Sequence, residues 1–379
     1  MAGRDTASVV IIGGGVVGCA VAMEVAAACD DVFLLEEMPQ LGMGASSRNS
    51  GVIHSGIYYP PGSRKARHCV EGNRLTYEFC AAHGVLHRRT GKIVVATTTG
   101  DEPQLEALLR RGQGNGVGGL RLIDRQALRM REPHVEGRAA LEVPCSGLVM
   151  SEELVKAYAR AAGERGAHLL THAKVTALEP AGAGARVTSE RGAIDARAVV
   201  NCAGLFADEV AALTGPAMEG RYRIQPVRGD YCEAVPAKAH LIRSLVYPLP
   251  EAGIYSLGVH LTKTLWGTLL VGPTARPVAS KTDYESDRVP TAEFARGARV
   301  LLPELEEADL RPAYSGIRAK LAPPAGIQAA PAKEPADFVV ERDPQLPCVI
   351  HLIGIESPGL TAAWPLAKEV AALVRETLQ

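Results

Sequence analysis

Gly13-x-Gly15-x-x-Gly18, followed by a carboxylate at Glu36, has the residue types and spacing to hold a dinucleotide. The first glycine permits a tight turn, the second lets the backbone approach a pyrophosphate, and the third lets a helix pack close to a strand. The helix start then offers N–H groups and a partial positive charge to phosphate oxygens. Glu36 stands close to the position, roughly 20 residues on, where a carboxylate accepts hydrogen bonds from a ribose diol and disfavours a 2′-phosphate. Glu37 beside it joins the cofactor candidates. The other reactive side chains are eight cysteines, Cys19, Cys29, Cys69, Cys80, Cys145, Cys202, Cys232 and Cys348. None forms a CxxC pair, so neither a metal site nor a redox dithiol of the usual spacing is expected. Scattered reduced thiols of this kind suit a cytoplasmic protein.

The elements that must position these groups are legible around the motif. Val9 to Ile12 is a β-branched run, residues 13–18 read as a turn, and residues 19–29 are Ala-rich and helical in propensity. Val32 to Leu35 reads as a second, parallel strand, which completes a βαβ unit. A loop rich in Gly, Ser and Asn follows over 41–63, then a helix over 65–83. The middle of the chain alternates short strands such as 92–96 with helices such as 103–111. Residues 112–119 contain a second GxGxxG match, but it follows a helix and precedes a strand, the reverse of what phosphate binding needs, and reads as a surface loop. Residues 152–202 look like a return to the nucleotide sheet, with a helix at 153–165 and strands near 169–170, 174–178, 186–189 and 198–202. Residues 219–318 are richer in Pro, Tyr and Thr and look β-rich, and the tail closes with a strand at 349–353 and a helix from about 361.

At 379 residues and 47% hydrophobic content, two packed domains with a sizeable core are expected. The fold class is α/β, a Rossmann-like FAD-binding domain of the glutathione-reductase type interleaved with a β-rich α+β substrate domain. The expected division assigns 1–85, 146–218 and 320–379 to the first domain, and 86–145 and 219–319 to the second. The net charge of −1 is spread evenly, so nucleic acid is not an expected partner. The apolar start, Ser8 to Val17, lacks a basic flank and holds three consecutive glycines that read as a turn, not as a signal peptide. No stretch reaches the roughly 18 unbroken apolar residues of a membrane span, which leaves only peripheral membrane contact open.

Three features favour FAD over NAD. Residues 199–204 form a strand ending in Cys202-Ala203-Gly204, similar to the Ala-Thr-Gly-type turn with which two-dinucleotide flavoproteins close over the adenine half of FAD. Gly354-Ile355-Glu356-Ser357-Pro358-Gly359-Leu360-Thr361 follows a strand and opens a helix, whose N–H groups suit the pyrimidine edge of a flavin. No second fingerprint is placed for NAD. Within 44–51, Ala45, Ser46, Ser47, Arg48 and Asn49 supply small and hydroxyl side chains at an expected helix start, suited to pyrophosphate and ribityl contacts. Val175 and Gly316 complete the cofactor set.

A series of blocks runs along nearly the whole chain: Asn49-Ser50-Gly51-Val52-Ile53-His54-Ser55-Gly56-Ile57-Tyr58-Tyr59-Pro60, then Gly62-Ser63-x-Lys65-Ala66-Arg67, Val227-Arg228-Gly229-Asp230-Tyr231, Leu257 to Thr262, Gly272-Pro273, Gly316 to Leu321, and the loop from Gly354 to Thr361. In these blocks and their order the chain resembles the D-amino-acid-oxidase superfamily, and within it the L-2-hydroxyglutarate dehydrogenase group. The family often has Thr-Gly-His where this chain has Ser46-Ser47-Arg48, a proline at Ala319 and an aromatic at Cys232. These departures bear on the substrate more than on the reaction class.

The resemblance implies non-covalent FAD and oxidation of a small 2-hydroxy acid to the 2-oxo acid, with hydride passing to the flavin while a base takes the hydroxyl proton. A base with a pKa near neutrality points to histidine, and His54 and His260 lie in family blocks. Arg318 fits the Gly-x-Arg-Pro carboxylate anchor of amino-acid and glycine oxidases, a bidentate role that a guanidinium suits. Lys320 is a candidate for a second carboxylate, and Tyr59 and Tyr255 for orienting substrate. The alternatives are an amine or amino-acid oxidase, a glycerol-3-phosphate dehydrogenase-like enzyme, and a non-catalytic flavoprotein. The electron acceptor is open among oxygen, a quinone and an electron-transfer flavoprotein.

Overall fold

The structure, a computed structural model, describes residues 5–250, 258–322 and 336–379. Thr6–Ile12 lies at the centre of a parallel array, because its β-branched residues are covered on both faces. It pairs with Val32–Leu35 on one side and Gly192–Asn201 on the other. His168–Leu170 extends the array beyond Val32–Leu35, and Val349–Ile353 pairs with Val199, Val200 and Asn201. Antiparallel strands Val175–Ala181, Gly184–Ser189 and Val339–Arg342 finish this sheet of eight strands. The strands therefore come from the beginning, middle and end of the chain.

The first helix is Val16–Val25, and nearly all of it is buried. A helix apolar on every side must be enclosed, and this one packs against Ser151–Glu164 and Gly359–Leu378. Arg64–His83 packs on the same C-terminal helix. It starts at Ser63, whose side chain accepts from the Ala66 N–H, and ends at left-handed Gly84.

A second sheet has nine strands. Its spine is a long antiparallel pair, Ile224–Ala234 with Leu310–Leu321. Leu269–Val271, Leu261–Lys263 and Leu245–Pro248 lead in turn from that spine to Lys92–Ala96 and Ala139–Val143. The helix Thr291–Arg299 buries Phe294, Ala295 and Ala298 against it. A small sheet of Val52–Ile53, Gly147–Val149 and His87–Arg88 joins the two regions.

Four expectations change. The first helix starts at Val16, inside the glycine motif and not after it, because Gly18 is a packing residue within the helix. Residues 41–49 are a series of turns, not a helix start. The helix Glu102–Gly114 runs into the expected surface loop at 112–119, and Gly112 is buried in it. The strand expected at 198–202 begins at Gly192, where it pairs antiparallel with Gly184–Ser189.

Candidate active site

The carboxyl ends of Thr6–Ile12, Val32–Leu35 and Gly192–Asn201 open onto one cavity of about 1170 Å³. Pockets for a single small ligand run at about 300–1,000 Å³, so this one has room for an extended molecule and a second, smaller one.

At one end the glycine turn is tight. Gly13 has φ of +104°, and a Cβ there would lie 2.5 Å from Cys202 O. A Cβ on Gly18 would lie 1.9 Å from Gly13 O, so only glycine lets the helix approach its own turn. Glu36 accepts from the Gly14 N–H at 2.6 Å and the Met38 N–H at 2.8 Å. Burial pushes its carboxyl up, against the pull of those hydrogen bonds. Ser46 reaches across from the 41–49 turns, and its Oγ accepts from the Val16 N–H at 2.9 Å. Sequence reasoning placed Ser46 at a helix start of its own; the structure makes it a cap on a different helix.

The expected cofactor residues Gly13, Gly15, Glu36, Glu37, Ala45 and Ser46 line the cavity. So do Arg48, Asn49, Val175, Cys202, Ala203 and Gly204. Gly316, Ser357, Pro358, Gly359 and Leu360 close the far wall. Gly18, Ser47, Gly354 and Thr361 stand outside the lining and act behind it. Ser47 Oγ donates to Gly44 O, and Gly354 takes a positive φ of 71° at the turn after the last strand. Thr361 Oγ1 accepts the His54 N–H at 3.0 Å and donates to Val52 O.

His54 is thus set by its backbone. Thr361 takes its N–H, and Asn73 Nδ2 donates to its carbonyl at 2.9 Å. Its Nε2 lies 3.3 Å from Ser357 Oγ, and its buried Nδ1 has no hydrogen-bond partner among the described residues. Burial holds the imidazole well below its ordinary pKa, with help from Lys92 and His260. His260 also lines the cavity. Its Nδ1 lies 3.1 Å from Gly258 O, and its ring stacks on Tyr247 at 4.0 Å between centroids. Burial pulls it down to about 3, against the pull of the Gly258 hydrogen bond. Both candidate bases therefore stand neutral in one wall.

Arg318 lines the cavity and donates to Thr274 O at 3.1 Å. Gly229 makes room for it, since a Cβ there would come within 2.9 Å of Arg318 Nη1. Lys320 lines the cavity, and burial lowers its ammonium. Tyr59 lines it too, 3.5 Å from Ser357 Oγ through its hydroxyl. Tyr255 lies outside the described residues. Sequence reasoning missed Tyr58, Tyr231 and Tyr247 in the same wall, and Lys92 behind it. The only available signal for Lys92 was a charged residue at the head of an apolar strand.

The residues fit FAD. Crowded glycines leave room for backbone close to a pyrophosphate, Glu36 faces the cavity at the end of the second strand, and a single space connects that end to Arg318 and the start of the helix Gly359–Leu378. A sheet with a parallel core and a dinucleotide crevice at its carboxyl ends, joined to a mostly antiparallel sheet that walls a small substrate space, defines a flavin-dependent oxidoreductase.

The chain belongs to the DAO family: residues 8–373 match the family described as FAD dependent oxidoreductase. Its relatives include L-2-hydroxyglutarate dehydrogenase of Escherichia coli strain K12, 31% identical over an alignment covering 97% of this chain and 93% of that one. Mitochondrial L-2-hydroxyglutarate dehydrogenase of Arabidopsis thaliana is 33% identical, covering 97% and 83%. Among solved structures, dithionite-reduced L-alpha-glycerophosphate oxidase from Mycoplasma pneumoniae with FAD bound has a TM-score of 0.87 at 26% identity, covering 99% of this chain and 95% of that one. Among the described residues no helix is long and apolar enough to cross a membrane, and no cluster of three potential metal ligands occurs.

Proposed function

We propose that this chain oxidises a small 2-hydroxy acid of the L-2-hydroxyglutarate type to its 2-oxo acid. One observation carries the reading: neutral imidazoles and a guanidinium line the same cavity as the glycine turn and Glu36. FAD, when bound, supplies the acceptor for the hydride that leaves the substrate's α-carbon. Arg318 holds the neighbouring carboxylate, to which a planar fork is matched. Lys320 serves the distal carboxylate of a diacid. His54 takes the hydroxyl proton at Nε2 as the C–H bond breaks, and Ser357 orients that nitrogen. His260, pinned to Gly258 O and stacked on Tyr247, fixes the shape of the pocket and does not itself move a proton. The relatives named for L-2-hydroxyglutarate support the choice of substrate.

The test is anaerobic mixing of the FAD-loaded protein with L-2-hydroxyglutarate, its D-enantiomer, L-lactate, glycerol 3-phosphate and a panel of amino acids, following the flavin band. Rapid bleaching by L-2-hydroxyglutarate is expected. Bleaching by glycerol 3-phosphate or amino acids alone overturns the assignment. Mixing the bleached enzyme with oxygen, a soluble quinone or an electron-transfer flavoprotein then identifies the acceptor.

A further inference from the structure

Lys92 heads the strand Lys92–Ala96, and only 1% of it is exposed. Among the described residues its Nζ has no hydrogen-bond partner. The ammonium sits 4.4 Å from the Tyr247 ring centroid and 5.0 Å from that of Tyr58. Both rings line the cavity, so the charge lies one layer behind the wall. The helix Arg64–His83 brings Cys69 towards it, and the turn before Gly147–Val149 brings Cys145. The segment after Val52–Ile53 brings His54 and Tyr58. Leu245–Pro248 and the start of Leu261–Lys263 bring Tyr247 and His260, with Arg318 facing His260 from the long strand. Among the described residues no carboxylate is paired with Lys92.

A buried ammonium without a counter-ion is costly, and aromatic faces offset that only in part. Such a charge is a stored electrostatic field, and it acts on both histidines. The His54 Nδ1 and Tyr58 hydroxyl share its condition as buried polar atoms without partners among the described residues.

We propose that Lys92 is a positioning residue for proton transfer: its buried ammonium behind Tyr58 and Tyr247 adds to burial in disfavouring a second positive charge on His54, the ring that accepts the substrate's hydroxyl proton. The inference rests on the reading of His54 as base. A second positive charge near the first is disfavoured, so protonation of His54 is pushed to lower pH. Burial lowers the ammonium to about 8, against the pull of Cys69 and Cys145, so the charge is mostly present at neutral pH. Arginine, with the same charge, preserves the effect; methionine, with a similar stem and no charge, removes it.

The experiment compares the native FAD-loaded enzyme with Lys92→Met, Lys92→Gln and Lys92→Arg. One readout is the ring titration of His54 by NMR on 15N-histidine-labelled protein, assigned with His54→Gln. The other is the acidic limb of kcat/KM. In Lys92→Met and Lys92→Gln both move up by about one pH unit, while Lys92→Arg stays with the native enzyme. A titration of His54 that coincides in all four proteins overturns the proposal. If the titration moves but the limb does not, or His54→Gln leaves the limb in place, the base assignment fails and the positioning role with it, while the electrostatic coupling of Lys92 to His54 stands. Folding that survives only with arginine makes the charge structural and also overturns it.

Discussion

His54 is defined less by its own ring than by what grips its backbone. Thr361 and Asn73 fix its N–H and carbonyl from two helices, and Ser357 meets its Nε2. His54→Gln keeps a polar side chain of similar reach and removes the base. We expect kcat/KM to fall about 10²–10⁴-fold, with the flavin spectrum retained. Arg318→Lys keeps the charge and loses the fork, and KM for the acid should rise roughly 10- to 100-fold, the equivalent of about 1.5–3 kcal/mol. His260 gives a stability prediction. Folded, it stays neutral down to about 3, from an ordinary value of 6.5. In the unfolded chain it takes up a proton below about 6.5. Between those limits the unfolded state holds more protons, so stability is full above 6.5 and falls as pH falls. His260→Phe removes this term, and the drop in melting temperature from pH 6.5 to 4 should become shallower.

At the scale of elements, close approaches between backbones decide where the site residues sit. Gly72 in the helix Arg64–His83 faces the C-terminal helix, and a Cβ there would lie 2.0 Å from Thr361 O. Gly72→Ala must push those helices apart, and with them the residue that holds His54. Overpacking of this kind costs about 1–3 kcal/mol, so thermal melts should show lower stability and flavin bleaching by substrate should slow. Ser46 does from a neighbouring loop what a capping side chain does locally. Its replacement by alanine leaves the Val16 N–H unpaired in the folded protein. Helix boundaries near the motif were legible only to within a few residues, because glycine punctuation does not reveal that Gly18 packs inside a helix. The turns at 41–49 were misread as a helix start for a related reason: hydroxyl residues signal capping without saying which helix they cap.

Across the whole molecule, the cavity depends on contacts between distant parts of the chain. Lys65 Nζ meets Glu356 Oε1 at 2.9 Å, with side chains 1% and 8% exposed. That pair ties the helix Arg64–His83 to the loop before the last helix. Lys65→Met leaves Glu356 buried without this partner, and breaking such a pair typically costs about 3–5 kcal/mol, measurable by denaturant unfolding of the FAD-loaded protein. Residues of both sheets line the cavity that would hold FAD. Free FAD at about 1,000 times its Kd should stabilise the stripped protein by roughly 4 kcal/mol, and denaturation should release all the yellow colour if the cofactor is held without a covalent bond.

The residues alone determined the βαβ start, the dinucleotide chemistry of Gly13, Gly15, Gly18 and Glu36, and the family blocks that point to FAD. These are local signals, because periodicity and turn chemistry act over a few residues. They also carried His54, His260 and Arg318, through block resemblance and not through spacing. Tertiary structure decided which of these share a wall, since the strand Leu310–Leu321 and the segment around His54 meet only through long-range pairing. It decided that Thr361 and Gly354 work behind the cavity. It also decided that Lys92, an unremarkable lysine in the chain, becomes a buried charge. Burial and its electrostatic consequences depend on what the rest of the fold packs around a side chain, which short stretches of sequence do not contain.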